Sequence, residues 1–186
     1  MSMQRSLKAF LLLALAFVLA LPTQALATQA EVPEYGVTVA FPPSLDVLTR
    51  TMPESDPVLN LYGLSASQAR QQLESQGLYA LAYDIAGEFQ VTLTLSGNGG
   101  ADYGAMDTAG LMEAARAYGG SQYELLAHSQ GSFLLVPADN GRNLACVFQA
   151  EGLLMELRLI AGTRISRDMV SLLKGIAMRT SFSLGQ

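Results

Sequence analysis

Between Phe89 and Leu95 the chain alternates strictly, with Phe89, Val91, Leu93 and Leu95 apolar and Gln90, Thr92 and Thr94 polar. Successive side chains of a strand point to opposite faces, so this pattern predicts a half-buried strand. Val37, Val39 and Phe41 repeat it in miniature, broken by Pro42-Pro43 before a further short strand over Leu45 to Arg50. These two read as an opening hairpin. Leu78 to Asp84 adds a strand ahead of Phe89, and four more follow late in the chain: Tyr123 to His128, Ser132 to Val136, Arg142 to Gln149 and Leu153 to Ile160. Their links hold Gln130-Gly131, Asn140-Gly141 and Glu151-Gly152, of which Asn140-Gly141 is a strong type I′ hairpin signal. The last four strands are therefore expected to form an antiparallel meander.

Helical patterning falls between the strands. Asp56 followed by Pro57 predicts the start of a short helix that ends by Gly63. Ser65 with Gln68 three residues on makes a capping box for a helix over Ala66 to Gln76, stopped by Gly77. Asp107 caps a helix whose Leu111, Met112, Ala115 and Tyr118 draw one apolar stripe, ended by Gly119-Gly120. A final helix begins at Ser166 and buries Val170, Leu173 and Ala177. Ser96-Gly97-Asn98-Gly99-Gly100 predicts a mobile surface loop. The order β-β-α-β-β-α-β-β-β-β-α, without long crossovers among the last four strands, predicts an α+β domain in which helices cover an antiparallel sheet.

The front of the chain follows another logic. Arg5 and Lys8 precede an apolar run from Ala9 to Leu21, then Pro22 and Ala25-Leu26-Ala27, the order of a secretory signal peptide cleaved after Ala27. The run stops short of the roughly 20 apolar residues that span a bilayer, so an uncleaved anchor is the weaker alternative. Residues 28–35 read as a flexible lead-in and 36–186 as a single domain, secreted, or periplasmic if the host has an outer membrane. Losing Arg5 and Lys8 takes the formal charge from −5 to −7. That balance, with scattered basic residues, argues against nucleic acid and anionic membranes as partners. Cys146 is the one cysteine, so no internal disulfide forms. It reads as a buried small hydrophobe, and no cysteine follows the apolar run to carry a lipid.

Candidate chemistry is sparse. Ala127-His128-Ser129-Gln130-Gly131 mimics a nucleophile elbow, yet an elbow needs a helix after its serine, whereas Ser132 to Val136 reads as a strand. The one histidine, His128, is adjacent to Ser129, where strand geometry turns the two side chains apart. A hairpin turn is the better reading. Glu54 and Asp56, and Asp102 and Asp107, bracket loops in which a weak calcium site is conceivable, although helix capping already explains Asp56 and Asp107. Gly97-Asn98-Gly99-Gly100 lacks the Gly-Lys-Ser/Thr ending of a phosphate loop. Seven tyrosines, Tyr35, Tyr62, Tyr79, Tyr83, Tyr103, Tyr118 and Tyr123, suit half-buried positions, a few of them fit to line a groove. No residue is assigned a catalytic, cofactor-binding or metal-binding role, and no cofactor is expected.

The stretch Tyr35-Gly36-Val37-Thr38-Val39-Ala40-Phe41-Pro42, the loop Leu48-Thr49-Arg50-Thr51-Met52-Pro53-Glu54-Ser55-Asp56-Pro57 and the later Tyr62-Gly63-Leu64, with the element order, resemble the PsbP-like fold. In particular they resemble uncharacterised secreted proteins and lipoproteins of Gram-positive anaerobic bacteria. The resemblance spans about Gly36 to Phe182 and implies an α-β-α sandwich around an antiparallel sheet, with docking or assembly roles beside larger complexes. It carries over no catalytic residue, and the metal-binding positions of the photosynthetic members have no counterpart here. The expectation is a non-enzymatic exported binding or accessory module that contacts a protein or envelope partner through an exposed sheet face or the Met52 to Gly63 loop. The alternatives are a small-ligand carrier with an apolar pocket between sheet and helices, and a hydrolase using Ser129.

Overall fold

The computed structural model describes residues 27–183. The expected signal segment lies outside the described residues except for Ala27, at the expected cleavage point. Strands β1 (Thr28–Val32), β2 (Val37–Phe41) and β3 (Leu45–Thr49) open the chain. Helices α1 (Pro57–Tyr62) and α2 (Ala66–Ser75) lead to β4 (Ala80–Asp84) and β5 (Phe89–Ser96). Helix α3 (Thr108–Ala117) precedes β6 (Glu124–His128), β7 (Gly131–Pro137), β8 (Asn143–Ala150) and β9 (Leu153–Ala161), and α4 (Arg167–Met178) and β10 (Ser181–Phe182) close the fold. The molecule is α+β, with a seven-stranded sheet of order β3-β4-β5-β9-β8-β7-β6 and a three-stranded sheet β1-β2-β10. All strand pairs are antiparallel, and the expected meander is the β9-β8-β7-β6 half of the large sheet.

Alternation decides what each face touches. Val47, Ala82, Val91, Leu159 and Leu144 share one register row across the large sheet. They join a core completed by Met169, Leu173, Ile176 and Ala177 of α4 and by Ala30, Val32, Val37, Val39, Phe41 and Phe182 of the small sheet. The opposite face is covered in two separate places. Helices α1 and α2 bury Leu59, Ala66, Ala69 and Leu73 on Leu48 and Leu81. Helix α3 and the turn before it bury Tyr103, Leu111 and Ala115 on Leu134, Val136, Ala145 and Val147. The row Leu48, Leu81, Thr92, Arg158, Ala145 is accordingly apolar at its ends, beneath helices, and polar at its centre, where no helix lies.

The expected caps are in place. Asp56 accepts from the Val58 N–H of α1, Ser65 and Gln68 form the reciprocal capping box of α2, and Asp107 and Ser166 cap α3 and α4. Such caps each stabilise by about 1 kcal/mol.

Three local expectations are corrected. Residues 28–35 are not a flexible lead-in: Thr28–Val32 pairs with β2, Ala30 opposite Val39 and Val32 opposite Val37, and Ala30 and Val32 are buried while Gln29 and Glu31 face outward. Nor do β2 and β3 form a hairpin, because β1 and β10 occupy both edges of β2 and the turn after Pro42 carries the chain into the other sheet. The Asn140-Gly141 turn is not type I′, which needs positive φ at both central residues. Only Gly141 is left-handed, and the Asn140 carboxamide oxygen accepts from the Arg142 and Asn143 N–H groups.

The glycine-rich segment lies at the surface as expected, with Gly97, Asn98 and Gly100 exposed, but Gly99 within it is packed. A Cβ on Gly99 would overlap the carbonyl oxygens of Leu153 and Ala150 in the β8–β9 hairpin. We expect Gly99→Ala to lose about 2 kcal/mol or more. Gly97→Ala, where an added carbon meets nothing within 4 Å, should change stability by less than about 0.5 kcal/mol. Urea unfolding of the two variants checks this; equal midpoints would show that the loop is free.

Candidate functional site

Ser129 and Gln130 form the two-residue turn between β6 and β7, with His128 paired to Gly131. The chain continues as a strand, so the serine has no helix N-terminus beside it. The His128 ring is committed to backbone on both sides. Its Nδ1 accepts from the Gln130 N–H at 3.3 Å, which makes Nε2 the protonated nitrogen, donating to the Thr180 carbonyl at 3.1 Å. Neither nitrogen is left to take a proton from Ser129. The ring packs edge-on against Phe133 and Phe182. Gln130 extends the same contact: its carboxamide donates to the Phe182 carbonyl at 2.7 Å and accepts from the Phe182 N–H at 3.1 Å, as a neighbouring strand would. The elbow look-alike is a clamp on β10.

The carboxylates singled out for calcium are likewise occupied. Glu54 accepts from the Ala66 N–H at the start of α2. Asp102 accepts from the N–H groups of Gly104 and Ser132, and Asp107 from that of Gly110. Among the described residues no three His, Cys, Asp or Glu side chains converge as metal ligands, and every buried side-chain nitrogen or oxygen has a partner. Burial pushes the Cys146 thiol up to about 12, which keeps it protonated and unreactive at neutral pH.

A cleft of about 600 Å³ opens where the register row Asp46, Tyr83, Gln90, Ile160 reaches one end of the large sheet. Tyr62 of α1 and Tyr83 stack with ring centroids 5.3 Å apart. The Tyr62 hydroxyl donates to Asp46 at 3.3 Å; burial first, then the Asp46 charge, raise its pKa, so it stays a neutral donor. The β4–β5 turn supplies Asp84, Ile85, Gly87 and Glu88, and the start of the next loop supplies Gly162. Asp84 holds this turn by accepting from the Glu88 N–H at 3.2 Å.

Helix α1 explains why the cleft has apolar lips. It has six residues, closed by left-handed Gly63, and buries Leu59 alone. Leu61 is thereby left 70% exposed and Tyr62 39%; of the two, Tyr62 lines the cleft, together with Ile85, which is 66% exposed. Beyond Gln90 the uncovered strip continues along Thr92, Thr94, Glu156 and Arg158, the last two joined as an ion pair. The space between the large sheet and α4, where a carrier pocket was expected, is filled by Phe133, Phe148, Met155, Leu173 and Ile176.

Of the expected contact surfaces, the structure brings together the C-terminal part of the Met52 to Gly63 loop and one end of the sheet face. Sequence reading did not connect Tyr62 with Tyr83 or assign Ile85 a role. The available signal was three apolar or aromatic residues, Leu61, Tyr62 and Ile85, beside turn glycines.

No family model matches the chain, and no curated protein does. Among solved structures it is similar to the solution structure of cyanobacterial PsbP (CyanoP) from Synechocystis sp. PCC 6803. The match has 13% identity and a TM-score of 0.47, and covers 85% of this chain and 93% of that one. A likeness at that level carries no argument about binding or activity. Among the described residues no helix is long and apolar enough to cross a membrane.

If the clamp holds β10, Gln130→Ala should lose about 1–2 kcal/mol and speed amide hydrogen exchange at Phe182 and Ser183, leaving β5 and β9 amides unchanged. Unaltered exchange at Phe182 would refute the clamp.

Proposed function

We propose that this chain is an exported, non-enzymatic binding or accessory protein whose docking surface is the cleft between α1 and the β4–β5 turn. The observation that carries the reading is the pairing of a concave, aromatic-walled cleft with apolar lips. Tyr62 on the last turn of α1 and Ile85 in the β4–β5 turn both line it and stay exposed, so the molecule keeps apolar area in water at a concave site. Export rests on the order of charged, apolar and small residues over Arg5 to Ala27. A hydrolytic role for Ser129 is disfavoured by its place in a hairpin turn and by the backbone bonds that occupy His128.

Pull-downs from secreted and envelope fractions with the wild type, Tyr62→Ser/Ile85→Ser and Met178→Ser test the docking surface. Met178 is 46% exposed on α4 and serves as the control. A partner retained by wild type and Met178→Ser but lost from the double variant is expected; equal recovery by all three would sink the assignment. A serine-directed phosphonate probe should leave the protein unlabelled. Labelling that disappears in Ser129→Ala would restore the hydrolase.

A further inference from the structure

We infer that the cleft receives a lysine- or arginine-bearing, otherwise apolar peptide segment of a partner protein; this rests on the docking surface proposed above and names its occupant. Charge complementarity is the first ground. The chain has 11 Lys and Arg, yet the lining residues include Asp84 and Glu88 and not one Lys or Arg, with Asp46 behind the Tyr62 hydroxyl. Stacked Tyr62 and Tyr83 add electron-rich ring faces, which attract ammonium and guanidinium groups. The formal charge of −7 left once Arg5 and Lys8 are removed steers a cationic segment toward the protein before contact.

The apolar lips identify the rest of the occupant. A small free cation would satisfy the carboxylates and leave Tyr62 and Ile85 in water. A peptide with apolar residues flanking its cation covers both, and a cleft of about 600 Å³ has room for several side chains. An anionic lipid surface is opposed by the same carboxylates. A second copy of this chain would bring a like acidic rim to the contact, which disfavours that pairing.

The test uses the residue 28–186 chain and a fluorescein-labelled capped peptide, Leu-Val-Lys-Leu-Lys-Val-Leu, read by fluorescence polarisation. Matched peptides carry glutamate or norleucine in place of lysine, and tetramethylammonium serves as competitor. The lysine peptide is expected to bind best, more weakly as salt rises. Asp84→Asn/Glu88→Gln should weaken it about three- to ten-fold, with an unfolding midpoint showing that the variant is folded. Equal binding of the three peptides, no binding of the lysine peptide at millimolar concentration, or no effect of a folded Asp84→Asn/Glu88→Gln variant would each overturn the inference. Displacement by tetramethylammonium with peptide-like affinity would overturn it in favour of a small cation. If Tyr62→Ser/Ile85→Ser still abolishes partner capture while lysine confers no advantage, the docking surface stands and only its cationic occupant fails. If the double variant captures normally, the docking surface itself fails.

Discussion

Everything in this fold depends on one apolar contact, the inward row of β9 against α4 and the small sheet. Leu153, Met155, Leu157, Leu159 and Ala161 are all nearly solvent-free, and β9 lies between β5 and β8 near the middle of the large sheet. Side chains of this kind each contribute roughly 1.5–3 kcal/mol when fully buried. Because strand periodicity is two, a one-residue slip in β9 would turn this row out to water. Register is therefore held across β5, β8 and β7, and with it the position of every residue on the opposite face.

That opposite face is where function resides, because it is only partly covered. Two helical caps, α1 with α2 and α3 with its preceding turn, bury the apolar ends of each register row and leave the centre to Thr92, Thr94, Glu156 and Arg158. Helix α1 is too short to bury more than Leu59, so its last turn leaves Leu61 in water and sets Tyr62 against Tyr83 at the sheet end. The cleft is thus a by-product of incomplete coverage, walled by aromatic rings and rimmed by carboxylates.

The stretch from Ala127 to Gly131 shows how a chemical motif can be used for structure. The histidine ring and the glutamine carboxamide bond to the main chain of Thr180 and Phe182, and Phe182 stacks on Phe148 with ring centroids 4.1 Å apart. The same residue types that could activate a nucleophile instead fasten a two-residue strand that would have little hold of its own. Glu54, Asp56, Asp102 and Asp107 follow the same rule, since backbone N–H groups claim one carboxylate oxygen of each.

The caps at Asp56, Ser65, Asp107 and Ser166, the alternation of β5 and the β6 to β9 meander were legible in the sequence. Each depends on residues within a turn or hairpin of one another, where steric and hydrogen-bonding preferences act without help. Thr28–Val32 escaped because a strand with two apolar side chains is recognisable only once β2 lies beside it. The pairing of β2 with β10, the packing of Gly99 on the β8–β9 hairpin and the meeting of Tyr62 with Tyr83 join residues distant along the chain. Such contacts exist only after layers stack and register is set, so the tertiary structure alone decided where the cleft lies and what lines it.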